Sequence, residues 1–183
     1  MFIRSVKALV LGTALLVMSA APAFAQGSDA IGNIAVGLSF LGDEGGTGIQ
    51  AAVSNRIKSL ANDKVLSWLV DASFHHKGSG LLDTSVNHIL AQGGAQVSGT
   101  LNEKAQWYAH GMIGILRTSI GGDLADLCDL VDESCSDTSL IVTPGGGIAY
   151  ALNDKTSAYA QLDIPIGSDG NTTRFTIGVR FKR

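Results

Sequence analysis

The sequence predicts an all-β fold, an antiparallel up-and-down barrel of about eight strands that crosses a membrane. Three observations carry that expectation. Apolar and polar residues alternate with period two through most of the chain beyond residue 32, clusters of Gly, Asn and Asp interrupt the alternation at short intervals, and the polar face is poor in Lys and Glu. Charged residues make up only 16% of the 183-residue chain, below the quarter or so usual for soluble domains, so something other than charge must cover this surface.

The first residues set the compartment. Arg4 and Lys7 form a positive n-region, residues 8–18 a short apolar h-region, and Ala23-Phe24-Ala25 supplies the small-x-small pattern of a secretory cleavage site. Residues 1–25 are therefore expected to be a cleaved signal peptide and residues 26–183 one β-barrel domain. The apolar run is too short to span a bilayer as a helix, and no later stretch reaches 18 apolar residues. Loss of Arg4 and Lys7 leaves 158 residues with 11 basic and 16 acidic side chains, a net charge of −5. Neither that balance nor any basic cluster suits a nucleic-acid partner.

Eight alternating segments follow: 33–41, 47–57, 65–77, 86–99, 105–118, 138–152, 156–167 and 172–182. The pattern is clearest in the last, where Phe175, Ile177, Val179 and Phe181 oppose Arg174, Thr176, Gly178, Arg180 and Lys182. In the third, Leu66, Trp68, Val70, Ala72 and Phe74 oppose Ser67, Leu69, Asp71, Ser73 and His75. In the seventh, Ala158, Ala160, Leu162, Ile164 and Ile166 oppose Tyr159, Gln161 and Asp163. A soluble barrel keeps its apolar face inside and shows water a surface dense in Lys and Glu. The polar face here is Gln, Ser, Thr, His and Gly with a few opposed charges, which suits a narrow lumen with the apolar face against lipid.

The connections divide into two kinds. Asn62-Asp63-Lys64, Asn102-Glu103-Lys104 and Asn153-Asp154-Lys155 follow the second, fourth and sixth segments. Asn and Asp tolerate the left-handed backbone of tight hairpins, so these read as short turns on one rim, the periplasmic one if the N-terminus lies there. The other connections are more variable and include the long segment 119–137. Short turns on one rim and longer loops on the other is the asymmetry of outer-membrane barrels. Centring the first turn on Asp63 and Lys64 sets Arg56 against Asp71 and Val53 against Phe74. Centring the last hairpin on Ser168 and Asp169 sets Asp163 against Arg174 and Leu162 against Phe175. Both alignments place unlike charges in the lumen, where an ion-pair network serves packing and charge balance.

Residues Pro144 to Ile164 (PGGGIAYALNDKTSAYAQLDI), followed by TRFTIGVRFKR, resemble the closing hairpins of the porin-like eight-stranded outer-membrane barrels of the OmpA/OmpX type. The resemblance implies the barrel fold and outer-membrane lipid as surroundings. It implies little about activity, because that superfamily holds structural tethers, adhesins and immune-evasion proteins. Its members usually finish on an aromatic residue, whereas Phe181 here is followed by Lys182 and Arg183.

Catalytic and cofactor motifs are missing from the sequence: there is no HExxH, CxxC, GxSxG or phosphate-binding loop. The glycines at 145–147 precede strand residues and read as close packing or a bend. His75, His88 and His110 share the polar face of three successive strands, but with no nearby carboxylate motif they read as hydrogen-bonded filler rather than metal ligands. Some eight-stranded barrels modify lipid A, and deacylases of that kind carry His-x-Ser-Asn on a late strand; no His follows His110. The expectation is thus a non-catalytic outer-membrane barrel without cofactor, with a structural or adhesion-like role. The alternatives are an outer-membrane lipid-modifying enzyme and a soluble periplasmic barrel binding a small ligand.

Segment 119–137 is the candidate surface for a partner. It carries Asp123, Asp126, Asp129, Asp132 and Glu133, with Leu124, Leu127, Leu130 and Val131 at helical spacing between them. Cys128 and Cys135 are expected to close a small disulfide loop there in an oxidising compartment. The carboxylate spacing matches no EF-hand loop.

Overall fold

The computed structural model describes residues 32–42, 46–79, 84–121, 135–168 and 170–182. Period-two alternation produces long strands: β1 Gly32–Leu41, β2 Gly46–Ser59, β3 Val65–Ser79, β4 Thr84–Thr100, β5 Ala105–Gly121, β6 Ser136–Ala151 and β7 Thr156–Asp163. Two-residue pieces follow, β8 Ile166–Gly167 and β9 Gly170–Asn171, and then β10 Arg174–Lys182. Each long strand pairs antiparallel with its predecessor, and β10 returns to pair with β1, which closes the ring at eight walls. Closure leaves no sheet edge exposed. The segment expected at 156–167 is interrupted because Pro165 has no N–H to give to a ladder; β8 resumes pairing with β6 beyond it, and β8 with β9 forms the tip of the last hairpin.

The ring is staggered. Partners followed from Phe40 in one direction run through Thr47, His76, Asn87 and Ser119 to Ser136 of β6. In the other direction they run through Phe175 and Leu162 to Gly146 of the same strand, ten residues along. In eight strands that stagger tilts each strand by roughly 40° and leaves an interior only wide enough for side chains.

The apolar face is the outer one. Leu38, Ile113, Leu140 and Leu162 are more than half exposed, whereas Asp71, His75, Thr143, Asp163, Arg174 and Thr176 are buried inside. A barrel with an apolar binding cavity needs the inverse arrangement, so the soluble small-ligand alternative does not fit these faces. Outward aromatic residues sit toward both ends. Trp68, Trp107, Tyr150 and Phe181 lie near the short turns, and Phe40, Phe74 and Phe175 nearer the loops, with Phe40 and Phe175 stacked at 6.5 Å between centroids. Such girdles flank the apolar band of membrane barrels.

The three short turns are built by two different devices. Asn62 and Asp63 adopt the left-handed backbone, with φ of 59° and 55°. In the second turn no residue has positive φ; Asn102 Oδ1 accepts the backbone N–H groups of Lys104 (2.9 Å) and Ala105 (2.8 Å). Asn153 Oδ1 accepts from Lys155 N (3.0 Å) in the third. A side-chain carbonyl one link from the backbone mimics a turn without inverting φ.

Around the first turn the register differs from expectation. Val53 lies opposite Val70, Asp71 opposite Ala52 and Arg56 opposite Ser67, so Arg56 and Asp71 do not pair. The hairpin closes over Ala61, Asn62 and Asp63, with Leu60 N donating to Lys64 O, and a bulge at Ile57 shifts the ladder once more. The turn centre and the bulge each displace the ladder from the expected register. Arg56 ends exposed at the rim.

Candidate functional site

Inward positions of β2, β3, β4, β5, β7 and β10 meet at one level of the lumen because the stagger offsets their sequence positions. Arg174 is at the centre and fully buried. Its Nη1 donates to Asp71 Oδ1 (2.7 Å) and to Ser73 Oγ (3.0 Å), and its Nε to Asp163 Oδ2 (2.9 Å). Asp163 lies directly across from Arg174 in the β7–β10 ladder, whereas Asp71 reaches it through the lumen from β3. The remaining carboxylate valences are filled by neutral donors and one imidazole. Asp71 accepts from Gln50 Nε2 and from Gln92 Nε2 (3.1 Å). Asp163 accepts from Gln161 Nε2 (2.8 Å) and bonds His110 Nε2 (2.8 Å).

Two of the three amides are themselves held, Gln161 by Tyr108 Oη (3.2 Å) and Gln50 by Tyr159 Oη (3.4 Å). Arg180 lies over the Tyr108 ring at 4.5 Å and the Tyr159 ring at 5.6 Å, closing the turn-side end. Toward the loops the inward positions include the apolar Leu41, Leu90, Ile141 and Pro165, all buried, alongside the buried His75. Asp71, Asp163 and Arg174 are thus enclosed between apolar and aromatic layers, and the half-buried Arg180 supplies the second positive charge from beyond the tyrosines. A buried charge left without a partner is costly, so this network is a fastening for the barrel.

Glycines make the room. A Cβ at Gly147 would stand 2.6 Å from Tyr108 Oη, and one at Gly37 2.7 Å from Tyr159 Oη. Real side chains do not approach so closely, so the two tyrosine rings occupy space that only glycine leaves.

The histidines divide. His75 and His88 face each other on β3 and β4, while His110 lies far down β5 beside Asp163. His88 Nδ1 pairs with Thr118 Oγ1 (3.0 Å). His75 Nε2 lies 2.9 Å from Ser39 Oγ, which also bonds Thr176 Oγ1 (3.0 Å). A nucleophilic pair needs a third group on the far imidazole nitrogen and a route for substrate. Among the described residues His75 Nδ1 has no partner, and Ser39, His75 and Thr176 are all sealed from the surface. No group of three His, Cys, Asp or Glu among the described residues is arranged to hold a metal ion.

Of the residues singled out in the sequence, Asp71, Asp163 and Arg174 come together and Arg56 stays apart. Asp123, Asp126, Asp129, Asp132, Glu133 and Cys128 lie outside the described residues, and Cys135 begins the described part beyond them. Gln50, Gln92, Gln161, His110 and the two tyrosines were not singled out as parts of one network. Their inward phase was visible, but their common level was not.

No family model matches the chain, and no curated protein matches it. Solved structures do. Ail, the attachment invasion locus protein of Yersinia pestis, solved in complex with the heparin analogue sucrose octasulfate, aligns with a TM-score of 0.58 at 11% identity, over 84% of this chain and 97% of that one. The fold is that of the eight-stranded outer-membrane barrels. Neisserial surface protein A aligns with a TM-score of 0.56 at 15% identity, over 85% of this chain and 98% of that one. A major outer membrane protein from Thermus thermophilus aligns at 0.54 and 12% identity, over 85% and 100%. At these identities the likeness speaks for the architecture alone.

Proposed function

We propose that the chain is an integral outer-membrane barrel, exported with loss of residues 1–25, whose role is structural or surface-interacting rather than catalytic. The observation that carries this reading is the pairing of a continuous apolar outer wall with a sealed, charge-balanced lumen. Lipid is the solvent that such a wall fits, and a lumen filled by side chains passes no bulk solute. The lipid-modifying alternative lacks support from the residues: the serine–histidine contact is sealed inside the barrel, and no late-strand histidine is available to face lipid.

In this reading segment 119–137 is extracellular and displays Asp123, Asp126, Asp129, Asp132 and Glu133, tied by a Cys128–Cys135 disulfide. Ail shares the barrel and was solved with a polysulfated ligand. The acidic loop here would repel a polyanion, so the partner of this chain is a surface bearing positive charge. Purified protein should migrate heat-modifiably in detergent gels and give no large stable conductance in planar bilayers. Deleting residues 121–136 should preserve both properties and abolish adhesion of expressing cells to a polylysine-coated surface. A nanosiemens channel, or adhesion unchanged by the deletion, contradicts the reading.

A further inference from the structure

We infer that the turn-side rim between β7 and β2 binds the anionic headgroups of phospholipids in the periplasmic leaflet; the inference rests on the membrane reading above. Along this arc the strand ends follow in the order β7, β10, β1, β2. Lys155 precedes β7, Lys182 closes β10, and Arg56 and Lys58 close β2, all four exposed. Lys182 N donates to Lys155 O at 2.8 Å, and Lys182 lies opposite Asn33 at the start of β1, so these four cations sit on adjoining strand ends, while Lys64 and Lys104 belong to the turns beyond β2 and β4. Two described acids border the arc, Asp154 in the turn before β7 and Asp63 in the turn after β2, while Glu103 belongs to the turn between β4 and β5.

The bulge aims Lys58 at lipid, whereas Arg56 and Lys182 keep the inward phase and reach the headgroup level from the rim itself. Were the β2–β3 ladder regular beyond Arg56 and Ser67, Lys58 would share the inward phase of Arg56. With Ile57 thrown out of the ladder, Lys58 lies opposite Leu66, an outward position, and the next outward residue on β3 is Trp68. Bulges re-aim side chains in this way. Trp68 and Phe181 belong to the aromatic girdle that marks the level of the headgroups, and lysine stems reach past such a girdle toward phosphate. Ile57 itself is 56% exposed between two cations. A phospholipid offers acyl surface and phosphate at that spacing, whereas a soluble polyanion leaves Ile57 in water. Anionic lipid therefore fits better than an acidic protein or cell-wall polymer.

The protein's two tryptophans provide the readout. Trp68 adjoins Lys58 across β2–β3, and Trp107 lies on β5, away from the arc. The full mature chain is reconstituted in phosphatidylcholine vesicles containing a small fraction of brominated phosphatidylglycerol or brominated phosphatidylcholine, as Trp107→Phe and as Trp68→Phe. The expected result is preferential quenching of Trp68 by the brominated phosphatidylglycerol, equivalent to a relative association of roughly three- to tenfold at low salt. High salt should reduce it, and combined Arg56→Gln, Lys58→Gln, Lys155→Gln and Lys182→Gln should remove it. If that variant fails the heat-modifiability test, Lys58→Gln alone should still lower the excess. Equal quenching by both lipids, an excess that survives substitution, or the same excess at Trp107 overturns the inference. Quenching by neither lipid overturns the membrane reading and the inference with it.

Discussion

Arg174 offers the sharpest perturbation. Its guanidinium holds two carboxylates, Asp71 and Asp163, and all three side chains are at most 1% exposed. Replacing Arg174 with Met removes the shared partner and leaves two buried carboxylates on neutral donors: Gln50 and Gln92 for Asp71, Gln161 for Asp163, with His110 beside the latter. Breaking a buried pair from one side costs about 3–5 kcal/mol, so Arg174→Met should destabilise the barrel by that order. Adding Asp71→Asn and Asp163→Asn replaces the charges with amides that still hydrogen-bond, and most of the loss should return. Reversible urea unfolding in lipid vesicles, followed by tryptophan emission and by heat-modifiable migration, measures both. A loss below about 1 kcal/mol for Arg174→Met, or a triple variant no better than the single one, would refute the claim that the network is held together by charge compensation.

Gly147→Ala should cost about 1–3 kcal/mol by driving a methyl group against the Ala160 carbonyl and Tyr108, while Gly111→Ala, where an added Cβ meets nothing within 4 Å, should change stability by less than about 0.5 kcal/mol; the same unfolding assay compares them. Thiol labelling of the exported protein should give no adduct until reductant is added and two adducts afterwards, if Cys128 and Cys135 are joined; two adducts without reductant would contradict the pairing.

The architecture was legible because lipid imposes a simple rule on each strand. Leu38, Ile113, Leu162 and Ile177 advertise an outer face through period two alone, and the Asn-acid-Lys segments punctuate the strands. Register was legible only where a turn could be centred from its residues. At Ser168–Asp169 the count sets Asp163 across from Arg174, which is their ladder position. At Asn62 the three-residue turn and the bulge at Ile57 carry no sequence mark, and together they move Asp71 away from Arg56. The lumen network was illegible for a different reason. Gln50, Asp71, His110, Gln161 and Arg174 share a level only through the ten-residue stagger, a property of ring closure that no single strand contains. The turns show the same limit: identical Asn residues serve through backbone at Asn62 and through the side chain at Asn102.

The exposed apolar wall is the surface that meets lipid. Leu38 stands in the middle of that wall, 57% exposed, with Ile49 and Ile177 as its cross-strand neighbours. Nothing in the protein would be disturbed by a long polar side chain there, so the surrounding solvent alone decides the outcome. The folding free energy of Leu38→Arg in lipid vesicles should fall by about 2–4 kcal/mol relative to the parent, the penalty for a cation near the bilayer midplane. A change within about 0.5 kcal/mol, as for a substitution on a water-exposed surface, would contradict the account.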